Sequence, residues 1–293
     1  MEEKLHIHYS KVRRILLVVL ALNWAVAIAK IFYGLITHCQ SMTADGFHSL
    51  SDGTSNIIGL VGIHLAAQPT DKNHPYGHKK YETLFSLIIV ALLFVLAFNL
   101  ARDGFERLHR HSQPIIDIKS FIVMFLTLIT NIFVMRYERN KGILLKSDIL
   151  ISDALHTRAD ILTSLSVIAA LIFIKMGFPI LDAVVTIIIS LFIAYAGFKI
   201  LKESSDVLVD SAAILDIKII EDIVLSTKGV RTCHKIRTRG RPDDIHIDLH
   251  VQVNPDMHVD NAHKISYAIE EALRKSIPEV TDVVVHIEPI EKK

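Results

Sequence analysis

Two short patterns in this chain have the residue types and the spacing to hold a metal ion. Asp45, His48 and Asp52 form a D-x-x-H-x-x-x-D pattern, and Asp153, His156 and Asp160 repeat it. Both copies lie in otherwise apolar stretches, and each is followed by a Thr-Ser pair, Thr54-Ser55 and Thr163-Ser164. On a helix, residues four apart share a face, so His48 lines up with Asp52 and His156 with Asp160. Two imidazole nitrogens and two carboxylate oxygens suit a tetrahedral Zn²⁺ ion. An ionised carboxylate in hydrocarbon is costly unless partnered, so paired copies ask for a polar interior and a cation. The plainer role, polar contacts that hold helices together, accounts well for one copy and poorly for two matched ones. Asp45 and Asp153 fall nearer the starts of the same stretches and read as supporting or helix-starting residues. A closed four-donor site leaves no open position for the water that zinc hydrolysis needs. There is also no H-E-x-x-H, so the chain is not read as an enzyme.

The elements that must position these residues are membrane spans. The 293 residues are 51% hydrophobic, and the apolar ones crowd into the first two thirds of the chain. A helix needs roughly 20 residues to cross a hydrocarbon core. Six such segments read from the sequence, over 12–36, 42–67, 81–108, 116–137, 148–175 and 180–201. The first, third, fourth and sixth are plain from hydropathy. The second and fifth become spans only once their Asp and His have a role. Residues 1–14 are polar and show no cleavage pattern, so the first span is retained as an anchor. Lys and Arg concentrate on the side that holds the N-terminus, as at Lys11, Arg13, Arg14, Lys79, Lys80, Arg136 and Arg139. That bias places both termini in the cytoplasm. A chain of this size without a targeting segment suits a prokaryotic inner (cell) membrane.

From about residue 204 the texture changes. The sequence predicts an amphipathic helix over 214–227, strands over 232–238 and 245–253, a helix over 258–276 and a strand over 280–287, with a turn at 240–243. This order suits a small α+β domain with helices on one face of a sheet. The domains are therefore 1–205, a six-helix transmembrane unit, and 206–293, a cytosolic α+β unit.

The remaining histidines point the same way. The chain has 16 His against two Cys, Cys39 and Cys233, which rules out a disulfide framework. Asp71, His74 and His78 sit in a short Pro/Gly loop and could hold a metal weakly. His234, His246, His250, His258, His263 and His286 crowd the C-terminal domain, a compositional sign of metal binding. His246, Asp248 and His250 alternate along one strand and share its face. A net charge of +1 gives no field for nucleic acid.

These motifs resemble the cation diffusion facilitator family of metal/proton antiporters. The likeness is carried by Thr43 to Asp52, Asp71 to Lys80, Ser152 to Asp160, and Val285 to Pro289. It covers nearly the whole chain. It implies a transport site at His48, Asp52, His156 and Asp160, and a loop site at Asp71, His74 and His78. It implies a binuclear cytosolic site drawing on His234, His250, His263, His286 and Glu288, where some relatives carry Asp in place of Glu288. It further implies a metallochaperone-like (ferredoxin-like) C-terminal domain, a homodimer joined through that domain, and a charge interlock of Lys80 with Asp210. The implied cargo is Zn²⁺, with Cd²⁺ tolerated and Fe²⁺ or Mn²⁺ as alternatives. His48 favours zinc over manganese, because an all-oxygen site suits the harder ion better. The expected activity is export from the cytoplasm in exchange for protons, since metal and protons compete for the same ligands. A membrane sensor that transports nothing is the alternative of another kind.

Overall fold

The computed structural model describes residues 2–36, 40–109, 118–175, 180–212 and 215–290. It contains six long helices: α1 (Glu2–Ile36), α2 (Gln40–Ala66), α3 (Lys80–His109), α4 (Ile118–Leu145), α5 (Asp148–Lys175) and α6 (Ile180–Leu208). A small domain follows, with α7 (Ile217–Leu225), β1 (Thr232–Arg241), β2 (Asp244–Val253), α8 (Val259–Ser276) and β3 (Val280–Pro289). The chain divides into two compact units, Met1–Ser204 and Ser205–Lys293, with the division inside α6.

The helical unit packs apolar side chains inward and leaves others facing out. Tyr9, Val12 and Leu16 of α1 meet Ile63 of α2, Ile89 of α3, and Ile149 and Leu150 of α5. A second cluster joins Leu93 and Ala97 of α3 to Ala159 of α5 and Ile193 of α6. Phe98, Phe133, Leu191 and Phe192 instead point outward. That inverse surface is what a lipid-facing helix needs, since acyl chains are as apolar as the side chains they meet. Three described segments are long and apolar enough to cross a membrane: Ile7–Phe32, Lys80–Glu106 and Ala183–Leu208.

Three helices outrun the sequence reading, α1 by starting at Glu2 rather than at 12. The fourth span was expected to end at 137, whereas α4 continues to Leu145. The drop in hydropathy over Arg136-Tyr137-Glu138-Arg139 reads as an exit from the membrane, yet nothing in it breaks a helix. Likewise α6 reaches Leu208 rather than 201. α5 starts where expected because Ser147 caps it, its Oγ accepting from the Leu150 N–H at 3.4 Å. Ser147 Oγ also donates to buried Glu82 of α3 at 2.5 Å, and Thr83 Oγ1 donates to Asp148 at 2.7 Å. The starts of α3 and α5 are thus tied together.

In the second unit, β2 lies between β1, antiparallel to it, and β3, parallel to it. The α8 crossover between β2 and β3 makes the parallel pairing possible. Ile245, Ile247, Leu249, Val251 and Val253, every second residue of β2, are buried against Ile220 and Val224 of α7 and Ile265, Ile269 and Leu273 of α8. Both helices therefore cover one sheet face. Full burial of a Leu or Ile side chain contributes roughly 1.5–3 kcal/mol. The β1–β2 turn is tighter than expected: the strands pair through Arg241 and Asp244, leaving only Pro242 and Asp243 between them. Gly240 adopts φ +110, a conformation that few other residues tolerate.

Candidate metal-binding sites

The free face of that sheet carries the clearest cluster. Because β2 buries its odd-numbered residues, its even-numbered ones, His246, Asp248 and His250, turn to the opposite face. Register does the rest. His234 of β1 stands directly opposite His250, and His286 of β3 stands opposite it on the other side. Glu288 follows two residues later on the same face as His286. Its Oε1 lies 2.6 Å from His250 Nδ1 and its Oε2 lies 3.2 Å from His234 Nε2. The His250 and His286 rings are 4.6 Å apart, and His286 Nε2 is 3.6 Å from Glu288 Oε1. Donor atoms of His234, His250 and Glu288 all lie within 4.8 Å of one another. Zinc–ligand bonds of about 2.0–2.1 Å place donors some 3.3 Å apart, so small side-chain shifts would close this set on one ion. The hydrogen bond from His250 holds the Glu288 carboxyl below the usual glutamate range, which keeps it ionised as a ligand must be. His246 turns instead to Asp244, at 3.7 Å. His263, on α8, packs its ring against Tyr267 at 4.6 Å and does not join the three.

A second cluster lies in the loop between α2 and α3. Asp71 Oδ1 accepts backbone bonds from His74 at 2.6 Å and Asn73 at 2.8 Å. The His74 N–H is the main reason its carboxyl stays below the ordinary aspartate range. His74 Nδ1 is 3.2 Å from Asp71 Oδ1, and His78 Nε2 is 3.4 Å from Oδ2. His78 is buried, its ring is stacked on Tyr81, and its Nδ1 has no hydrogen-bond partner among the described residues. The turn that folds the loop back places Gly77 at φ +89. The three residues gather their donors within 4.8 Å.

The intramembrane pair is partly on view. His156 and Asp160, one turn apart on α5, open on a cavity of about 30 Å³ lined also by Asn23 and Val26 of α1, Ser55 of α2, Thr127 and Asn131 of α4, and Thr157. His156 Nδ1 is buried, with no hydrogen-bond partner among the described residues. Such an orphaned nitrogen facing a polar cavity is unusual in a packed interior. The side chains of His48, Asp52 and Asp45 lie outside the described residues, as does Cys39. Asp153 is buried and accepts from Asn56 of α2, which in turn accepts from Asn23 of α1 at 3.2 Å. Asp210, at φ 56, pairs with Arg239 at 3.6 Å within the second unit.

Several polar residues here were not singled out from sequence: Asn23, Asn56, Thr127, Asn131, Glu138 and Thr157. Asn56 carried a signal, since it continues the four-residue step of His48 and Asp52. Glu138 gave none, because it was placed beyond the span.

Comparison with known proteins agrees with both units. Residues 16–209 match the cation efflux transmembrane domain, and residues 215–290 match the cytoplasmic domain of cation efflux proteins. An uncharacterised transporter of Methanocaldococcus jannaschii is 32% identical over 92% of this chain and 95% of its own length. The manganese efflux system protein MneS of Bacillus subtilis is 26% identical over 94% of this chain and 95% of its own. Metal tolerance protein C1 of Arabidopsis thaliana is 28% identical, covering 90% of this chain and 59% of the relative. Among solved structures, a C-terminal domain of MamM is 27% identical over 26% of this chain and 94% of that domain, with a TM-score of 0.25. The matches to both domains, along nearly the whole length of the chain, make it a member of the cation diffusion facilitator family, a membrane-embedded metal efflux transporter.

Proposed function

We propose that this chain exports a divalent transition metal, Zn²⁺ first, from the cytoplasm in exchange for protons. The observation that carries the proposal is the small polar cavity on which His156 and Asp160 open, with the unpartnered His156 nitrogen beside it. A volume near 30 Å³ is about that of one water molecule. Its polar lining suits a hydrated cation that exchanges water for protein ligands. Ser55 brings α2 to the same cavity. His48 and Asp52 stand seven and three residues before Ser55 in the sequence, a helical spacing that supports adding them to the site. Imidazole with carboxylate suits zinc by ligand softness.

In this reading six spans carry both termini on the cytoplasmic side. The cation enters from the cytoplasm and is held by His48, Asp52, His156 and Asp160. The helices rock, and protons displace it on the far side. The Asp71, His74 and His78 loop captures metal near the entrance. The cluster of His234, His250, His286 and Glu288 senses metal and tightens a homodimer. Catalysis of a bond-breaking reaction has no place in the cycle.

Manganese export is the second reading, favoured by likeness to a manganese efflux protein. Uptake of Zn²⁺, Fe²⁺ and Mn²⁺ into vesicles carrying the purified full-length protein separates the two. Zinc moving fastest supports the first reading, and manganese moving with zinc excluded overturns it.

A further inference from the structure

Four arginines stand on the outer surface of the helical unit with no carboxylate to meet them. Arg13 and Arg14 of α1 and Arg136 and Arg139 of α4 are all exposed, as is Lys11. None of the four arginines forms an ion pair with a described residue. The sequence explains why. α1 has no Asp or Glu after Glu3, and the single acidic residue of α4, Glu138, is buried. Other exposed arginines of the chain do have partners: Arg102 meets Glu106 at 3.0 Å, and Arg237 meets Asp248 at 3.1 Å.

The four also lie at about one depth. Asn23 and Val26 of α1 line the same cavity as Thr127 and Asn131 of α4, and Val134 joins the core cluster of Val12 and Leu16. Falling numbers on α1 therefore run beside rising numbers on α4. From Asn23 it is nine residues to Arg14 and ten to Arg13; from Asn131 it is five to Arg136 and eight to Arg139. At 1.5 Å per residue these steps are about 14, 15, 8 and 12 Å, all toward the same end of the bundle. Between the arginines and the depth of the cavity, Leu17 and Val18 of α1 and Ile129 and Phe133 of α4 turn outward. The arginines thus rim an apolar collar, at the level where hydrocarbon gives way to headgroups. Tyr137 marks that boundary, its ring stacked on Phe133 and 6.0 Å from Lys141 Nζ.

We propose that Arg13, Arg14, Arg136 and Arg139 form a binding site for the phosphate headgroup of an anionic phospholipid, at the rim shared by α1 and α4. A guanidinium offers paired N–H donors that match phosphate oxygens, which an ammonium does not. Unpaired basic groups gathered between helices at the membrane surface are what such headgroups recognise. The apolar collar gives the acyl chains a place beside the same site, so the occupant is a lipid and not a soluble phosphate. A headgroup held by both helices ties α1 to α4, and these two helices supply Asn23 and Asn131 to the wall of the cavity. The site is independent of which metal the chain carries.

The test places full-length protein in phosphatidylcholine nanodiscs with a rising fraction of phosphatidylglycerol and reads the thermal midpoint. The midpoint of wild type is expected to rise and then saturate. Each basic residue near a charged surface is worth roughly a fivefold preference, so losing two should demand about 30-fold more phosphatidylglycerol for the same rise. That is the shift expected for Arg13→Gln with Arg14→Gln, and again for Arg136→Gln with Arg139→Gln. Arg102→Gln, whose arginine is already paired with Glu106, should titrate as wild type does. No rise in wild type, or wild-type titration in both double variants, overturns the site. Inorganic phosphate that reproduces the rise in pure phosphatidylcholine overturns the lipid as its occupant. A photoactivatable phosphatidylglycerol tests wild type alone, whether or not the variants fold. Label is expected on residues 11–18 and 129–141, and label confined to other segments overturns the proposal.

Discussion

Removing His250 should weaken metal binding at the C-terminal cluster more than removing any peripheral histidine. His250 occupies the central strand, faces His234 and His286 across two strand pairings, and lies 2.6 Å from Glu288 Oε1. Four-ligand zinc sites bind with apparent free energies of roughly 10–16 kcal/mol, so an equal share per ligand is about 3 kcal/mol. At about 1.4 kcal/mol per decade, that is a loss of about 100-fold in affinity. His250→Ala also strips Glu288 of the bond that keeps its carboxyl acidic. The control is His258→Ala. His258 caps α8, its Nδ1 accepting from the Asp260 N–H at 3.3 Å and lying 3.4 Å from the Asp260 carboxylate, away from the cluster, and its loss should leave zinc affinity where it was. Calorimetric titration of full-length protein reads both, in an Asp160→Ala background that silences the membrane site. Equal losses in the two variants, or no loss in His250→Ala, would refute the argument that the strand register assembles this cluster.

Three further outcomes follow from the second unit. Glu288 has a native pKa below its ordinary value of 4.5, so its ionised form stabilises the fold. That contribution is fully present above 4.5 and disappears as pH falls through the lowered native value. Wild type should therefore lead Glu288→Gln in metal-free thermal stability near neutral pH and lose the lead in strong acid; a constant difference across pH would contradict this. Burial pushes the Cys233 thiol above its usual 9.0. Its alkylation at pH 8 should be slower in the folded protein than after denaturation, and equal rates would show the thiolate is not suppressed. Gly240→Ala places a side chain on a residue at φ +110. It should lower stability by about 1–3 kcal/mol, read from a denaturant midpoint, and an unchanged midpoint would mean the turn relaxes freely.

Part of this was legible because it depends on spacing alone. The His-x-x-x-Asp step places His156 and Asp160, two candidate ligands, on one helix face wherever the helix begins, and alternation along 245–253 shows which face of β2 is buried. The C-terminal cluster was harder to read. Alternation groups His246 with His250, but the pairing of His250 with His234 and His286, and the turn of His246 toward Asp244, depend on strand register. Register is set by neighbours distant in sequence. Glu138 was lost for another reason. Hydropathy averages over a window, and the two arginines around it mask a single side chain that turns inward.

The most direct test of the account is zinc uptake by proteoliposomes under an imposed pH gradient, with wild type and Asp160→Ala compared at equal protein. The account predicts gradient-driven zinc movement in wild type that vanishes in the variant while the variant stays folded. Zinc flux of equal size in both, or none in correctly folded wild type, would contradict it.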